Sequence, residues 1–212
     1  MAYAVKEIYY TLQGEGGQTG QAAVFLRFAG CNLWTGREED RARAICNFCD
    51  TDFLGTNGPG GGTFDTADAL ANAMRQAWPQ PETNAERWVV CTGGEPLLQL
   101  DDAAITALHT AGFRIAVETN GTVLPPEDID WLCVSPKAGA RMVVNRGTEL
   151  KLVHPQPGLD PAEFASLDFQ HFFLQPMDGP NLLENQQLVA EYCLQHPQWR
   201  VSLQIHKILG LP

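Results

Sequence analysis

The chain reads as α/β, an incomplete, TIM-like βα barrel with parallel strands. Three observations predict this. Short apolar segments alternate with amphipathic ones, the pattern of parallel strands joined by right-handed helical crossovers. Only about six or seven such units fit the chain, short of the eight that close a barrel. Nearly every apolar segment is followed at once by polar, glycine or proline residues, as expected where strand ends gather on one face and line a cavity.

Taken in order, Val5–Leu12 is a further strand or hairpin arm ahead of the first parallel strand, Ala23–Ala29. Gly55–Gly62 is a glycine-rich, flexible loop with no Lys-Ser or Lys-Thr after it, so it lacks the chemistry of a phosphate cradle. A helix over Asp65–Trp78 has Thr66 and Asp68 near its start, as an N-terminus prefers. Strands follow at Trp88–Cys91, Arg114–Val117, Trp131–Val134, Leu150–Val153, Phe172–Leu174 and Arg200–Ile205. Helices are expected at Leu98–Ala111, Pro126–Asp130, Pro161–Leu167 and Leu182–His196. Residues 1–212 read as one domain with an insertion at about 35–45, where Gly36–Ala44 forms a short charged helix.

Composition narrows the function classes. Hydrophobic content of 44% and charged content of 18% are ordinary for a soluble enzyme. Net charge is −11, with 14 basic residues against 25 acidic, which argues against a nucleic-acid-binding surface. The first residues show no cationic stretch followed by an apolar run, so no signal peptide is expected. No apolar stretch approaches the roughly 20 residues that span a bilayer. A cytoplasmic location is expected, where thiols stay reduced, so the six cysteines are ligands or core residues rather than disulfides. Cys91, Cys133 and Cys193 lie in apolar runs and read as small core hydrophobes.

Cys31, Cys46 and Cys49 are different. They follow the first parallel strand, and Cys46 and Cys49 have the spacing of two ligands from one loop. Three thiolates are one short of a closed structural zinc site. They suit a four-iron cluster that leaves one iron to a non-protein ligand. Phe48 sits between the close pair, where its ring can stack on a flat group. Gly93-Gly94-Glu95-Pro96 follows a strand: the glycines let backbone approach a ligand, and Glu95 can accept hydrogen bonds from an ammonium group.

With these residues the chain resembles the radical S-adenosylmethionine enzymes from Cys31 to about Asp178. The resemblance implies a 4Fe-4S cluster on Cys31, Cys46 and Cys49, chelated at its open iron by S-adenosylmethionine. Gly93, Gly94 and Glu95 would hold its amino group and Phe48 would pack near its adenine. Ser135, Pro136 and Lys137 and the turn of Gln175, Pro176, Met177 and Asp178 would contact ribose, carboxylate and adenine. The usual spacing of three residues and then two would put the middle cysteine at Thr35. Here the spacing is fourteen and two, and the insertion accounts for the difference. An insertion that leaves and returns at nearly one point preserves the placement of the ligands.

The run Leu12-Gln13-Gly14-Glu15-Gly16, with Arg27, Cys31-Asn32-Leu33-Trp34 and Cys49-Asp50-Thr51-Asp52, is similar to the 7-carboxy-7-deazaguanine synthase family. That implies conversion of 6-carboxy-5,6,7,8-tetrahydropterin to 7-carboxy-7-deazaguanine with loss of ammonia, in 7-deazapurine and queuosine biosynthesis. It also implies Mg²⁺ at Thr51, an electron donor such as a flavodoxin, and a homodimer. Arg27, with Mg²⁺, is assigned to the substrate carboxylate. Leu12, Gln13, Gly14, Glu15 and Thr92 are assigned to the pterin edge, as are Glu118 and His206. The carboxylate of Pro212 is assigned to the cavity mouth. For Arg27 the competing reading is a surface or ion-pair role; for Glu118 and His206 it is a cap or surface polar group. His109, His154, His171 and His196 have no metal-ligand spacing and are placed at the surface or behind the site.

Three other readings compete. One is a radical S-adenosylmethionine activase acting on a partner protein, which has no need of residues 12–16 or Thr51. Another is a non-enzymatic zinc-binding module. The third, a Rossmann dinucleotide enzyme, lacks the glycine fingerprint, since Cys31 and Asn32 follow Gly30.

Overall fold

A computed structural model describes residues 2–79 and 86–212. Among these, nine strands form one sheet: β1 (Tyr3–Leu12), β2 (Ala22–Phe28), β3 (Gly62–Phe64), β4 (Arg87–Gly93), β5 (Phe113–Thr119), β6 (Trp131–Val134), β7 (Arg146–His154), β8 (Asp168–Pro176) and β9 (Trp199–Val201). The α-helices are α1 (Ala67–Ala77), α2 (Asp102–Thr110), α3 (Leu182–Gln195) and α4 (Ile205–Leu209). The order across the sheet is β3-β1-β2-β4-β5-β6-β7-β8-β9. β1 runs antiparallel to β2 and β3; every pairing from β2 to β9 is parallel. β3 and β9 lie at opposite rims, so the sheet stays open and forms the incomplete barrel expected from the sequence.

Strand alternation sorts the side chains into two layers. On one face Val24, Leu26, Val89, Cys91, Ile115 and Val117 pack with Leu70, Met74 and Leu108 of α1 and α2. Further along, Leu150, Leu152 and Leu174 pack with Val189 of α3 and Trp199. On the other face Ala23, Phe25, Trp88, Val90 and Ala116 close the bottom of the barrel. One step along each of those strands, the same face carries Arg27, Thr92, Glu118, Lys151 and Gln175. The barrel interior is therefore apolar at its base and polar at its mouth.

Several elements differ from expectation. No helix forms over Pro126–Asp130. Asp128 takes a φ of 61°, outside the right-handed region, and the Asp130 carboxylate accepts from Ile115 N–H at 2.8 Å. Pro161–Leu167 shortens to a 3₁₀ turn at Pro161–Phe164. The helix expected from Leu98 begins at Asp102, because the Asp101 carboxylate caps Ala104 N–H at 3.0 Å. The last strand ends at Val201, and Ile205 to Leu209 turn into α4. The charged segment forms a 3₁₀ helix over Glu38–Arg43. The glycine-rich loop is fastened to β1 through Ile8 N–H on Pro59 O at 2.8 Å and Gly58 N–H on Lys6 O at 2.9 Å.

Candidate active site

A cleft of about 390 Å³ opens at the C-terminal ends of the parallel strands. Cys31, Cys46 and Cys49 line it, with Phe48 and Thr51 from the same loop. The Cys31 sulfur accepts the Leu33 N–H at 3.4 Å. Burial nevertheless raises the Cys31 thiol above its ordinary range. Cys46 and Cys49 share a proton: the bond from Cys46 draws Cys49 down to about 6, and that bond, with burial, pushes Cys46 up. The Lys137 ammonium attracts both thiolates. It donates to the Ser135 carbonyl and hydroxyl, each at 2.7 Å. Among the described residues no group of three or more His, Cys, Asp or Glu is arranged to hold a single metal ion. Three thiols on one cleft wall, one of them ionised near neutrality and a cation beside them, fit an iron–sulfur cluster, whose ligands are thiolates.

The insertion keeps the three cysteines together. Ile45 N–H and Cys46 N–H both donate to Leu33 O, at 3.1 and 3.4 Å. The chain thus departs after Leu33 and returns to it before Cys46.

The Gly-Gly-Glu-Pro run serves the fold as well as the cleft. Gly93 and Gly94 line the cavity, but their small size is demanded by β2. Gly93 has a φ of 136°, and a Cβ there would lie 2.3 Å from Phe28 O; a Cβ on Gly94 would lie 2.0 Å from Gly30 O. Glu95 is wholly buried. It accepts from Leu97 N–H, the Thr119 hydroxyl and Asn120 N–H at 3.0, 2.7 and 2.8 Å. Glu95, Pro136 and Met177 do not line the cleft, whereas Ser135, Lys137, Gln175, Pro176 and Asp178 do.

The floor is a charge network. Lys151, buried, pairs with Glu15 and with Glu118, the latter at 3.2 Å. Gln13 and Thr92 donate to Glu118 at 3.1 and 3.2 Å, and Gln204 donates to Glu15 at 2.8 Å. Burial opposes ionisation of Glu15, yet Lys151 and Gln204 outweigh it and hold its carboxyl down to about 2. Leu12, Gln13, Gly14 and Glu15 all face the cleft, as do Arg27, Thr92, Glu118, His206 and Pro212. Gly14 is required for close packing: a Cβ there would strike the His206 ring, 2.0 Å from Nδ1, while Ile205 N–H donates to Gly14 O at 3.0 Å. That contact seats α4 on the loop after β1.

Arg27 combines both readings made of it. Its Nε donates to Glu7 at 2.7 Å and Nη2 to the Tyr9 hydroxyl at 2.6 Å, and it still lines the cleft. Lys151, Gln204 and Lys207 were not foreseen. Lys207 spans Asp50 and Asp178 at 2.7 and 2.6 Å. A lysine set between Leu150 and Leu152 in a buried strand was the available signal for Lys151. Lys207 has no such signal, because its partners meet only in three dimensions. His109 and His196 are exposed enough to bond backbone carbonyls at the surface, and His171 stacks on Trp131.

An open βα sheet with three cysteines on the loop after its first parallel strand is the architecture of the radical S-adenosylmethionine class. No protein-family model matches the chain. It is 63% identical to the 7-carboxy-7-deazaguanine synthase of Caulobacter vibrioides over 212 residues, all of both chains. It is 62% identical to that of Bordetella pertussis, again over the whole of both. A crystal structure of QueE from Escherichia coli superposes with a TM-score of 0.71 at 28% identity, covering 96% of this chain and 94% of that one. The chain belongs to the 7-carboxy-7-deazaguanine synthase family.

Proposed function

We propose that this chain converts 6-carboxy-5,6,7,8-tetrahydropterin to 7-carboxy-7-deazaguanine with release of ammonia, using a 4Fe-4S cluster, S-adenosylmethionine and Mg²⁺. The observation that carries the reading is the convergence of Cys31, Cys46, Cys49, Arg27 and the Lys151–Glu15–Glu118 network on one cleft. Cys31, Cys46 and Cys49 would hold the cluster. Bound together, cluster and S-adenosylmethionine would supply a 5′-deoxyadenosyl radical able to take hydrogen from the pterin ring carbon next to the carboxylate.

The chain's own residues then bind and orient. Phe48 packs near adenine; Ser135, Lys137 and the Gln175–Asp178 turn supply polar contacts to the rest of the cofactor. Gly93 and Gly94 offer backbone at the cluster end of the cleft, beside the buried Glu95, for the amino-group contact assigned to all three. Arg27 keeps guanidinium donors toward the cleft beyond those given to Glu7 and Tyr9, suited to a substrate carboxylate. Thr51 would add a hydroxyl to Mg²⁺, whose other ligands come from substrate and water. Glu15, Glu118, Gln13 and Thr92 present acceptors and donors to the amide and amino edge of the pterin. His206 and the carboxylate of Pro212 close that edge. A flavodoxin-like donor, a cytoplasmic location and a homodimer complete the reading. Among the described residues no helix is long and apolar enough to cross a membrane.

Anaerobic reaction of reconstituted protein with dithionite, S-adenosylmethionine, Mg²⁺ and the carboxypterin tests it. A product lighter than substrate by one ammonia is expected; unchanged pterin beside cleaved S-adenosylmethionine would reject this substrate. Arg27→Ala should weaken pterin binding about tenfold and leave the cluster spectrum intact. Thr51→Val should abolish stimulation by Mg²⁺.

A further inference from the structure

The insertion between Cys31 and Cys46 carries one side chain that reaches the ligand loop. Arg41 lies on the 3₁₀ helix of the insertion. Its Nη1 donates to Asn47 O at 3.0 Å and to Cys49 O at 2.9 Å. Its Nε is held by Glu38 at 2.7 Å. The guanidinium lies 4.2 Å over the ring of Trp34, within the range of a cation–π contact. Trp34 is buried against Phe53, and its Nε1–H donates to Arg37 O at 3.1 Å. One side chain thereby joins the residue where the insertion begins, the helix it forms and the carbonyls beside its last two cysteines. Arg43, on the same helix, pairs with Asp40.

We propose that Arg41 is a positioning residue for the cluster: it clamps the Cys46–Cys49 loop against Trp34 and so would hold the two cysteines in place for iron. The planar fork makes two carbonyl bonds and a stacking contact at once, which a lysine ammonium does not reproduce. Its positive charge beside the ligand carbonyls would also favour the more negative, reduced cluster. The proposal rests on the reading of Cys31, Cys46 and Cys49 as cluster ligands.

The test uses the full chain as Arg41→Ala, Arg41→Lys and the control Arg43→Ala. In cluster-free protein, iodoacetamide labelling is mapped by peptide mass. Arg41→Ala should speed labelling of Cys46 and Cys49 several-fold while Cys31 stays at the parent rate. Equal acceleration at the buried Cys91 and Cys133 would mean general unfolding and would overturn a local clamp. In reconstituted protein, bleaching of the iron–sulfur absorption by an iron chelator should be about tenfold faster for Arg41→Ala, intermediate for Arg41→Lys and unchanged for Arg43→Ala. The midpoint of the reductive titration should move to lower potential in Arg41→Ala and stay near the parent in Arg41→Lys. Parent-like labelling, bleaching and midpoint in Arg41→Ala would reject the clamp. A parent protein that takes up no iron–sulfur chromophore would instead reject the ligand reading on which it stands.

Discussion

Lys151 and Glu15 show what a buried charge demands of its neighbours. Removing one partner strands the other in a poorly solvated site, which costs about 3–5 kcal/mol. Lys151→Met should therefore lower stability by about that amount, measured by denaturant titration, because both Glu15 and Glu118 lose their cation. Glu15 also sets a pH dependence. Its carboxyl is held at about 2 against an ordinary 4.5, so the native state favours the ionised form. Its contribution, about 3 kcal/mol, is complete above 4.5 and is lost as pH falls toward 2. Glu15→Gln should flatten the loss of melting temperature across that interval, and an unaltered acid limb would contradict the linkage. Of the site residues, Gln13, Glu15, Arg27 and Thr92 were legible through the family resemblance, and Glu118 through its place at a strand end; all five line the cleft. Gln204 and Lys207 were hidden, since Gln204 bonds Glu15 and Lys207 bridges Asp50 and Asp178, partners that only the fold brings together.

At the scale of elements, the chain is tightly packed where the ends of β2 and β4 meet. A methyl on Gly94 meets the Gly30 carbonyl at 2.0 Å, a backbone atom with no rotamer to yield. Gly94→Ala should cost about 1–3 kcal/mol or more, visible as a lower melting temperature even in cluster-free protein. Removal of the α2 cap by Asp101→Ala should cost about 1–2 kcal/mol, since it orphans Ala104 N–H and takes the acceptor from the Tyr3 hydroxyl. The central strands were legible from alternation, but the helix expected at Pro126–Asp130 was not real. Five residues barely complete one turn, and nucleation is unfavourable without tertiary support. The Asp130 side chain serves Ile115 and Arg114 instead. The cysteine spacing was read as an interrupted ligand loop; its closure at Leu33 O depends on backbone bonds that carry no side-chain signature.

For the whole molecule, one cleft draws residues from β1, β2, β4, β5, β7 and β8. A ligand filling it must stabilise all those strands together. With S-adenosylmethionine at a hundredfold above its Kd, the gain is about 2.7 kcal/mol, or a rise in Tm of about 5–10 °C for a protein of this length. A shift confined to the cysteine loop, seen by proteolysis without a change in Tm, would contradict that coupling. The sheet has a further consequence. From β5 to β9 each strand lies beside its immediate predecessor in the chain, so the sheet can grow by accretion at one rim. Glu15 and Glu118 precede Lys151 along the polypeptide. If the sheet grows in that order, the Lys151 ammonium reaches its berth with both counterions already moored, and pulse-labelled hydrogen exchange during refolding should find β7 protected no earlier than β4 and β5.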